Sequence, residues 1–436
     1  MILTVTIEKL VFGGQGLARL DDGRVAFVWN ALPGEVVEAE VIKRKKNYIE
    51  AIALTIITPS PDRVKPKDTH FLSSSPWQMM SREAEAKWKK NIAAETYSKI
   101  ADMILSPDQL ELAQDEHMYG YRNKMEYSFA HVDATNDGDK ANYHPTSIAL
   151  FARGKHTRNP VDGASIADAH INATAKKIEA WIQTQRIPLR SLKSLIVRSN
   201  TAGDTIAALF IKDKLTYSTY PPLQNGLKGF HLYFSTHTSP ASVPTQILYS
   251  EGNTFLVEDI LGTKLTFGLL SFFQINVAMF TTELKDIAAF LDPKQPLVDY
   301  YAGVGAIGLP LSANRKQTIL VESNKEAATY AAENIVANAL PHCVAHCIPA
   351  EQMRGIISKE HAIIVDPPRA GLHEDVVKTL LQVGPPKVIY LSCNLSTQAR
   401  DMRMLSQRYK PIFIKIYNFF PRTPHIEGLV VLEKIV

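Results

Sequence analysis

Two side chains suited to catalysis stand at the ends of apolar segments in the C-terminal part of the chain. Cys393 follows the apolar run KVIYLS, and Asp366 follows the apolar run AIIV. A thiolate is a strong nucleophile, so a cysteine where a strand meets a ligand crevice is a candidate for covalent catalysis. The prolines after Asp366 give a rigid turn that can present one carboxylate to a flat substrate. A core cysteine and a plain strand-ending turn are the structural alternatives.

A carboxylate and an imidazole precede the last apolar segment. His425 and Glu427 are two residues apart, so they lie on one side of the chain if this stretch is extended. A carboxylate can remove a proton from a reacting carbon, which makes Glu427 a candidate general base for a reaction begun by Cys393. A polar turn before a strand is the alternative. The remaining cysteines, Cys343 and Cys347, are expected to be small core residues, without a metal.

A glycine-rich loop follows the apolar run PLV at residues 299–308 (DYYAGVGAIG). Glycines after a strand let the backbone approach a ligand, and the N-terminus of a following helix would offer free N–H groups. Glu322, at the end of the next strand, is placed to accept hydrogen bonds from ribose hydroxyls. The GxGxxG spacing suits a nicotinamide dinucleotide as well as S-adenosylmethionine, and a tight turn without a ligand is a third interpretation.

The pattern around these residues predicts three units. Residues 262–436 alternate apolar strands with helical segments, which predicts a doubly wound α/β domain, a parallel sheet with helices on both faces. Residues 1–58 contain short alternating strands and glycine turns, which predict a five-stranded β-barrel of the OB-like type. Residues 59–261 mix strands and helices and predict an α+β domain. It includes a helix from residue 82 with Lys and Glu outward, and a polar loop over 131–142.

The densest positive run of the chain lies in the predicted barrel, at residues 43–46 (KRKK), close to Tyr48. A solvated hairpin tip is the simpler interpretation of such a run. On a small barrel, cations beside an aromatic ring would also suit an RNA backbone and a stacked base.

The overall composition limits the class of protein. The 436 residues are 45% apolar and 21% charged, with a formal net charge of +4, which permits a polyanionic partner without requiring one. The sequence lacks an apolar run long enough to span a membrane and a secretory signal at its start. Three cysteines cannot form a disulfide framework, so we expect a reducing, cytoplasmic location.

Several motifs occurring in order resemble the RNA uracil-5 methyltransferases. They are Phe272-Phe273-Gln274-Ile275-Asn276, the glycine loop, DPPRAG from Asp366, SCN around Cys393, Arg400-Asp401 and the final HIE, with Tyr121-Arg122-Asn123-Lys124 upstream. The N-terminal barrel resembles a TRAM domain, an RNA-binding unit common on the ribosomal-RNA branch of the family.

The resemblance implies an enzyme that transfers methyl from S-adenosylmethionine to carbon-5 of a uridine in RNA. Cys393 would add to carbon-6 and Glu427 would remove the carbon-5 proton. The resemblance assigns the cofactor site to Gln274, Tyr301, Ala306, Glu322 and Asp366. We expect 23S ribosomal RNA as substrate, with tRNA as the alternative, and a monomer without a membrane partner.

Departures from the family pattern concern a metal site and the surroundings of the base. Many relatives hold an iron–sulfur cluster with four cysteines, but here residues 66–78 and 163–165 contain none, so no cluster held by four thiolates of this chain is expected. Asn418 and Arg422 stand where Asp and His are expected.

Two other classes of protein compete with this interpretation. They are a nicotinamide oxidoreductase, which would have no use for Cys393, and a non-catalytic RNA-binding protein.

Overall fold

The computed structural model describes residues 1–132, 145–240 and 242–435. The polar loop predicted over 131–142 lies, from residue 133 onward, outside the described residues. No helix in the described ranges combines the length and apolarity needed to cross a membrane.

The N-terminal unit is a small β structure. Its strands are β1 (Ile2–Thr6), β2 (Lys9–Leu10), β3 (Gly16–Arg19), β4 (Val25–Trp29), β5 (Val36–Arg44) and β6 (Tyr48–Thr58). They pair in the order β1-β5-β6-β4-β3-β2, so the described part of this sheet has one strand more than the predicted five. The extra strand arises because the first alternating run is interrupted after Thr6. Alternate side chains of all strands except the two-residue β2 share one core cluster.

The linker leads into a short helix, α1 (Phe71–Ser74), and a long helix, α2 (Arg82–Ile100). The Ser81 side chain accepts a hydrogen bond from the Ala84 N–H, which caps the start of α2. The prediction that its Lys and Glu residues point outward is wrong for Glu85 and Lys89, both 0% exposed. The burial of Glu85 and Lys89 could not be predicted from their charges, because the two form an ion pair with each other inside the fold.

The central unit is a mixed sheet with one helix packed on it. Its elements are β8 (Lys124–His131), β9 (Thr146–Phe151), β10 (Arg158–Pro160), α3 (Ala169–Thr184), β11 (Leu192–Ser199), β12 (Thr205–Ile211), β13 (Leu227–Phe234) and β14 (Gln246–Gly252), after β7 (Glu111–Ala113). The strand order is β10-β9-β8-β11-β12-β13-β14. Among the described residues, 3-10 segments lie at Pro107–Gln109, Leu189–Ser191 and Ala350–Gly355.

The C-terminal unit is the doubly wound sheet. Its elements are the hairpin β15 (Phe255–Ile260) and β16 (Thr263–Gly268), then α4 (Val277–Ala289), β17 (Leu297–Tyr300), β18 (Thr318–Glu322), α5 (Lys325–Ala337), β19 (Cys343–Cys347), β20 (Ala362–Val365), α6 (Glu374–Val383), β21 (Lys387–Ser392), α7 (Leu395–Leu405), β22 (Tyr409–Tyr417) and β23 (Glu427–Lys434). The order is β19-β18-β17-β20-β21-β23-β22-β7.

This sheet is mixed rather than wholly parallel as predicted. Strands β17 to β21 are parallel to one another, whereas β23 is antiparallel to β21 and to β22. Successive residues of β20 alternate between two core clusters, with Ile363 and Val365 in one and Ala362 and Ile364 in the other. The apolar runs were continuous because both faces of these strands are covered.

Two further predictions about this unit are wrong. The residues between β17 and β18 form consecutive turns where a helix was expected after the glycine loop. Pro310 lacks an N–H and glycines populate left-handed backbone at Gly303 and Gly305, so a regular helix is unfavourable here. Cys343 is buried as expected, but Cys347 is exposed at the edge of the sheet.

Candidate active site

Three of the predicted site residues, Gln274, Asp366 and Cys393, lie at the carboxyl end of the parallel strands. Asp366 follows β20 and Cys393 follows β21, and these strands are parallel neighbours, so both residues leave the sheet at the same end. The Gln274 side-chain amide donates to Asp366 Oδ2 at 3.3 Å. This is the end at which open α/β sheets bind their ligands.

Strand register brings Cys393 and Glu427 together. In the antiparallel pairing of β21 with β23, Ser392 lies opposite Gly428. Because the strands are antiparallel, the next pair of positions sets Cys393, one residue after Ser392, opposite Glu427, one residue before Gly428. After burial and the charges of Glu283 and Asp366, the charge of Cys393 also contributes to the raised pKa of Glu427.

The electrostatics of the edge are dominated by buried carboxyl groups. Burial, followed by the charges of Glu283 and Asp366, raises the pKa of Glu427 well above its usual range. Burial likewise raises the pKa of Glu283, with contributions from Asp366. Desolvation raises the pKa of Asp366 to about 7, against the hydrogen bond from Gln274. A group of carboxyls in this state holds protons near neutral pH, as a site for proton transfer requires.

The positive charge of Arg369 influences the pKa values of Cys393, Glu427 and His425. Its charge and a hydrogen bond lower the pKa of Cys393, but burial and the charge of Asp366 act more strongly and raise it. Arg369 also lowers the pKa of Glu427. Burial and the surrounding cations, Arg369 first, lower the pKa of His425 to about 4, so its imidazole is neutral at physiological pH.

The glycine loop gives the remaining predicted residues their positions. Glu322 at the end of β18 accepts hydrogen bonds from the Gly303 and Asn324 N–H groups, at 2.9 and 2.6 Å. Asp299 Oδ2 accepts from the Gly308 N–H at 2.8 Å, whereas its buried Oδ1 has no hydrogen-bond partner. A Cβ built on Gly303 would meet no atom within 4 Å. Open space beside an anchored carboxylate fits a nucleoside cofactor.

Tyr301 and Ala306 flank this loop. Tyr301 has φ of +63°, and its hydroxyl lies near the His373 backbone, while burial raises its pKa to about 12. Ala306 is partly buried and packs on the apolar cluster beneath the loop. Both therefore offer packing surface at the loop.

The segment that carries Gln274 is held by the central unit. The Asn123 side chain donates to the Gln274 carbonyl at 2.9 Å, and the Asn123 N–H donates to the Ile275 carbonyl at 3.1 Å. The buried Arg198 donates to the carbonyls of Gly268 and Ser271. The tetrapeptide from Tyr121 thus fixes the backbone on which Gln274 sits.

The positions where relatives are expected to carry cluster cysteines form a hydrogen-bonded polar group instead. The Gln78 amide donates to Asp68 at 2.9 Å and to Ser75 at 2.6 Å, and the Ser165 hydroxyl donates to Asp68 at 2.8 Å. These side chains do not supply the thiolates that an iron–sulfur cluster needs. In the described part of the chain, no three His, Cys, Asp or Glu side chains are grouped to hold a metal ion.

Sequence reasoning missed three buried charged residues near the site. Glu283 of α4 is 1% exposed and its Oε1 has no hydrogen-bond partner. Glu85 and Lys89 of α2 contact the loop that precedes Glu427. Their spacing is that of an ordinary helix surface, so the sequence contains no signal that would have found them.

The doubly wound sheet with its glycine loop is typical of α/β enzymes that bind an adenosine-containing cofactor at this end of the strands. Residues 97–435 match the family model described as tRNA (Uracil-5-)-methyltransferase, and residues 2–54 match the TRAM domain. The chain belongs to the tRNA (uracil-5-)-methyltransferase family. It is thus an S-adenosylmethionine-dependent enzyme that methylates uracil in RNA, as the motifs predicted.

Individual relatives agree with this assignment. An RNA methyltransferase of Nitratidesulfovibrio vulgaris, described as uncharacterized, is 28% identical over 99% of this chain and 96% of its own length. One of Lactobacillus johnsonii is 29% identical over the same shares. The crystal structure of the Pyrococcus abyssi tRNA (uracil-54, C5)-methyltransferase, in complex with S-adenosyl-L-homocysteine, superposes with a TM-score of 0.77 at 21% identity, covering 99% of this chain and 100% of that one. The predicted fold class, including the N-terminal β unit, is confirmed.

Proposed function

We propose that this enzyme methylates carbon-5 of a uridine in ribosomal RNA through a covalent adduct of Cys393. The observation that carries the proposal is the register of β21 and β23, which sets the thiol opposite a buried carboxylate. Asp366, held by Gln274, borders the same pair. A nucleophile and a base that lie side by side can act on two adjacent atoms of one planar ring.

In the proposed reaction, the Cys393 thiolate adds to carbon-6 of uracil. A carbon–sulfur bond forms, and the electrons of the carbon-5–carbon-6 double bond move toward the carbonyl oxygen, which makes carbon-5 nucleophilic. Because burial raises the pKa of Cys393, the thiol must lose its proton as the substrate binds, and Arg369 is the group that favours the thiolate. S-adenosylmethionine, when bound, would supply the electrophilic methyl group: carbon-5 would form a bond to it as the bond between that methyl and the sulfonium sulfur breaks, and S-adenosylhomocysteine would leave.

Glu427 then takes the proton from carbon-5. The electron pair left behind restores the double bond and expels the Cys393 thiolate, so the step ends with a thiolate on Cys393 and a proton on Glu427. Because its pKa is raised, Glu427 must release its own proton before this step, and its carboxylate is then a stronger base than an ordinary one, which suits proton removal from carbon. The cofactor would be held by Gln274, Tyr301, Ala306, Glu322 and Asp366.

The RNA would contact the N-terminal unit as well as the site. The exposed residues 43–46 form the tip of the β5–β6 hairpin, as expected, and Tyr48 packs edge-on against Phe27 at 5.7 Å. Cations there would neutralise phosphates, while the target uridine leaves its stack to reach Cys393. We propose a monomer acting on ribosomal RNA in the cytoplasm. tRNA is the second candidate, favoured by the description of the matching family.

The test is an incubation of the enzyme with S-adenosylmethionine and RNA containing 5-fluorouridine. Fluorine cannot leave as a proton does, so the reaction should stop at a protein–RNA adduct that survives denaturation. Ribosomal RNA and tRNA, offered separately, identify the substrate from which of them is trapped. Cys393→Ala is the control and should form no adduct. Methylated RNA without any adduct would rule out the covalent route.

A further inference from the structure

The loop that delivers Glu427 is tied to helix α2. Residues 418–426 connect β22 to β23, and Glu427 is the first residue of β23. A nine-residue connection would be free to move unless its polar groups were held. Here both its start and its middle contact the buried face of α2.

Glu85 and Lys89, one turn apart on α2, make these contacts. Glu85 accepts from the Asn418 side-chain amide at 3.0 Å and from the Arg422 N–H at 3.1 Å. Lys89 Nζ donates to Asn418 Oδ1 at 2.5 Å and to the Phe420 carbonyl at 3.2 Å. The two side chains form an ion pair at 3.1 Å, and both are 0% exposed. Both side chains therefore contact the loop from positions that are themselves shielded from water.

The loop conformation itself needs such support. Arg422 has φ of +63°, which costs energy for any residue other than glycine and persists only where the surroundings impose it. The Arg422 carbonyl accepts from the Trp77 N–H at 3.0 Å, and its guanidinium donates to the Met80 carbonyl at 2.8 Å. The Glu85 carboxylate accepts the hydrogen bond from the Arg422 backbone N–H.

Helix α2 also supports the far side of Glu427. The buried Tyr97 hydroxyl donates to Gln398 at 2.7 Å, and Gln398 donates to the Gly428 carbonyl at 2.9 Å. Glu85, Lys89 and Tyr97 share the buried face of the helix. One rigid element thus contacts the chain on both sides of the candidate base.

We propose that Glu85 and Lys89 are positioning residues that hold the 418–426 loop so that Glu427 faces the substrate carbon. A buried ion pair is a poor stabiliser, since apolar residues of similar volume often serve as well or better. Its presence here is explained by the directional hydrogen bonds that it offers to the loop. Both residues lie between the ranges matched by the two family models, 2–54 and 97–435. This inference rests on the proposed role of Glu427.

The experiment uses the full-length enzyme, unmodified substrate RNA and a single turnover. Glu427→Gln cannot remove the proton, so a methylated, covalent adduct with Cys393 should accumulate. Glu85→Gln should accumulate the same adduct in part, with proton removal slowed by roughly 10- to 100-fold, as expected for a base displaced by a fraction of an ångström to 1 Å. The affinity for S-adenosylmethionine should change by no more than about twofold, because the glycine loop is untouched.

Two variants separate positioning from folding. Glu85→Gln combined with Lys89→Met removes both buried charges together, so the helix keeps its packing without an unpaired lysine, and it should accumulate the adduct as well. Glu95→Gln changes the same residue type on the same helix, but Glu95 pairs with Lys9 and Lys99, so it should turn over like the wild type.

The outcomes are distinct. Adduct in Glu85→Gln and in the double variant, but not in Glu95→Gln, is the expected result. Adduct in Glu427→Gln alone, with the Glu85 variants either fully active or impaired only through weaker binding, would overturn the positioning role and leave the proposed function standing. If Glu427→Gln forms no adduct, the proposed mechanism fails and this inference fails with it.

Discussion

The side-chain amide of Gln274 donates a hydrogen bond to Asp366 Oδ2 at 3.3 Å, and this contact joins the segment before α4 to the end of β20. Desolvation raises the pKa of Asp366 to about 7, and the hydrogen bond from Gln274 acts in the opposite direction. The hydrogen bond from Gln274 therefore favours the carboxylate form of Asp366 against the effect of burial.

Gln274→Leu should shift the pH dependence of the reaction. Loss of the donor removes the influence that lowers the pKa of Asp366, so this pKa rises and the group is protonated over a wider range. If the reaction needs the carboxylate, the rising limb of kcat/KM against pH moves to higher pH and activity at pH 7 falls. Gln295→Leu, at a partly exposed position where the side chain loses only a bond to the Glu360 carbonyl, is the matched control. An unchanged limb would show that Asp366 does not act as a carboxylate.

Glu283→Gln should stabilise the protein, and more so as pH rises. Burial raises the pKa of Glu283 above its unfolded value. Between these two values the unfolded chain releases a proton that the folded protein retains, so the free energy of unfolding falls as pH increases. Each pKa unit corresponds to about 1.4 kcal/mol. Glutamine has no proton to retain, so the gain should be small at pH 4.5 and largest above the folded pKa.

Thermal unfolding at pH 4.5, 6 and 8 measures this effect. Exposed Glu360→Gln, at the surface before β20, should show no such trend. The substitution also removes the largest carboxyl contribution to the raised pKa of Glu427, so the acidic limb of the rate profile should move to lower pH. A Glu283→Gln protein that unfolds more easily at pH 8 would contradict the assignment of Glu283 as a buried, unpaired acid.

Strands with continuous apolar sequence were the part of the fold that could be predicted. β20 and β21 are covered on both faces, so their sequences stand out between turn residues. β22 carries Pro411 and two lysines and was not recognised, although it pairs along its length with β23. The order of strands follows from contacts between distant segments, such as β7 beside β22. Local pattern does not contain that information.

The site residues that could be predicted are those whose chemical type and place beside an apolar strand both indicate catalysis. Cys393 and Glu427 follow or begin apolar strands, so their types and places could be read together. Glu85 and Lys89 could not be found in this way, because the partner of Lys89, Asn418, is 329 residues further along the chain. A charged helix residue is exposed by default, and only the folded structure shows the exception.

Gly14→Ala should disturb the contact between the N-terminal unit and the loop that precedes Glu427. Gly14 has φ of +97°, and a Cβ there would lie 2.4 Å from Pro424. The left-handed backbone costs an alanine roughly 1–2 kcal/mol, and the overlap adds about 1–3 kcal/mol. We expect a lower unfolding temperature together with slower turnover, measured by thermal unfolding and methyl transfer.

Gly23→Ala is the matched control for this prediction. Gly23 has φ of +83°, but a Cβ there meets no atom within 4 Å. It should show the backbone penalty alone and keep its turnover. If both variants lose only stability and by equal amounts, the contact between Gly14 and Pro424 has no influence on the active site.

Neutralising the tip of the β5–β6 hairpin should weaken RNA binding in a salt-dependent manner. Lys45 and Lys46 are exposed at the turn, whereas neighbouring Lys43 pairs with Glu50 at 2.9 Å. Each lysine that contacts a phosphate contributes about 0.7 to the slope of log affinity against log salt for single-stranded RNA. Lys45→Gln with Lys46→Gln should therefore reduce that slope by up to about 1.4 and raise Kd at low salt, with kcat at saturating RNA unchanged.

The control for this prediction is Lys294→Gln with Lys316→Gln, which removes the same charge from exposed positions of the C-terminal unit. Equal slopes in both double variants and the wild type would mean that the hairpin tip is only a solvated turn.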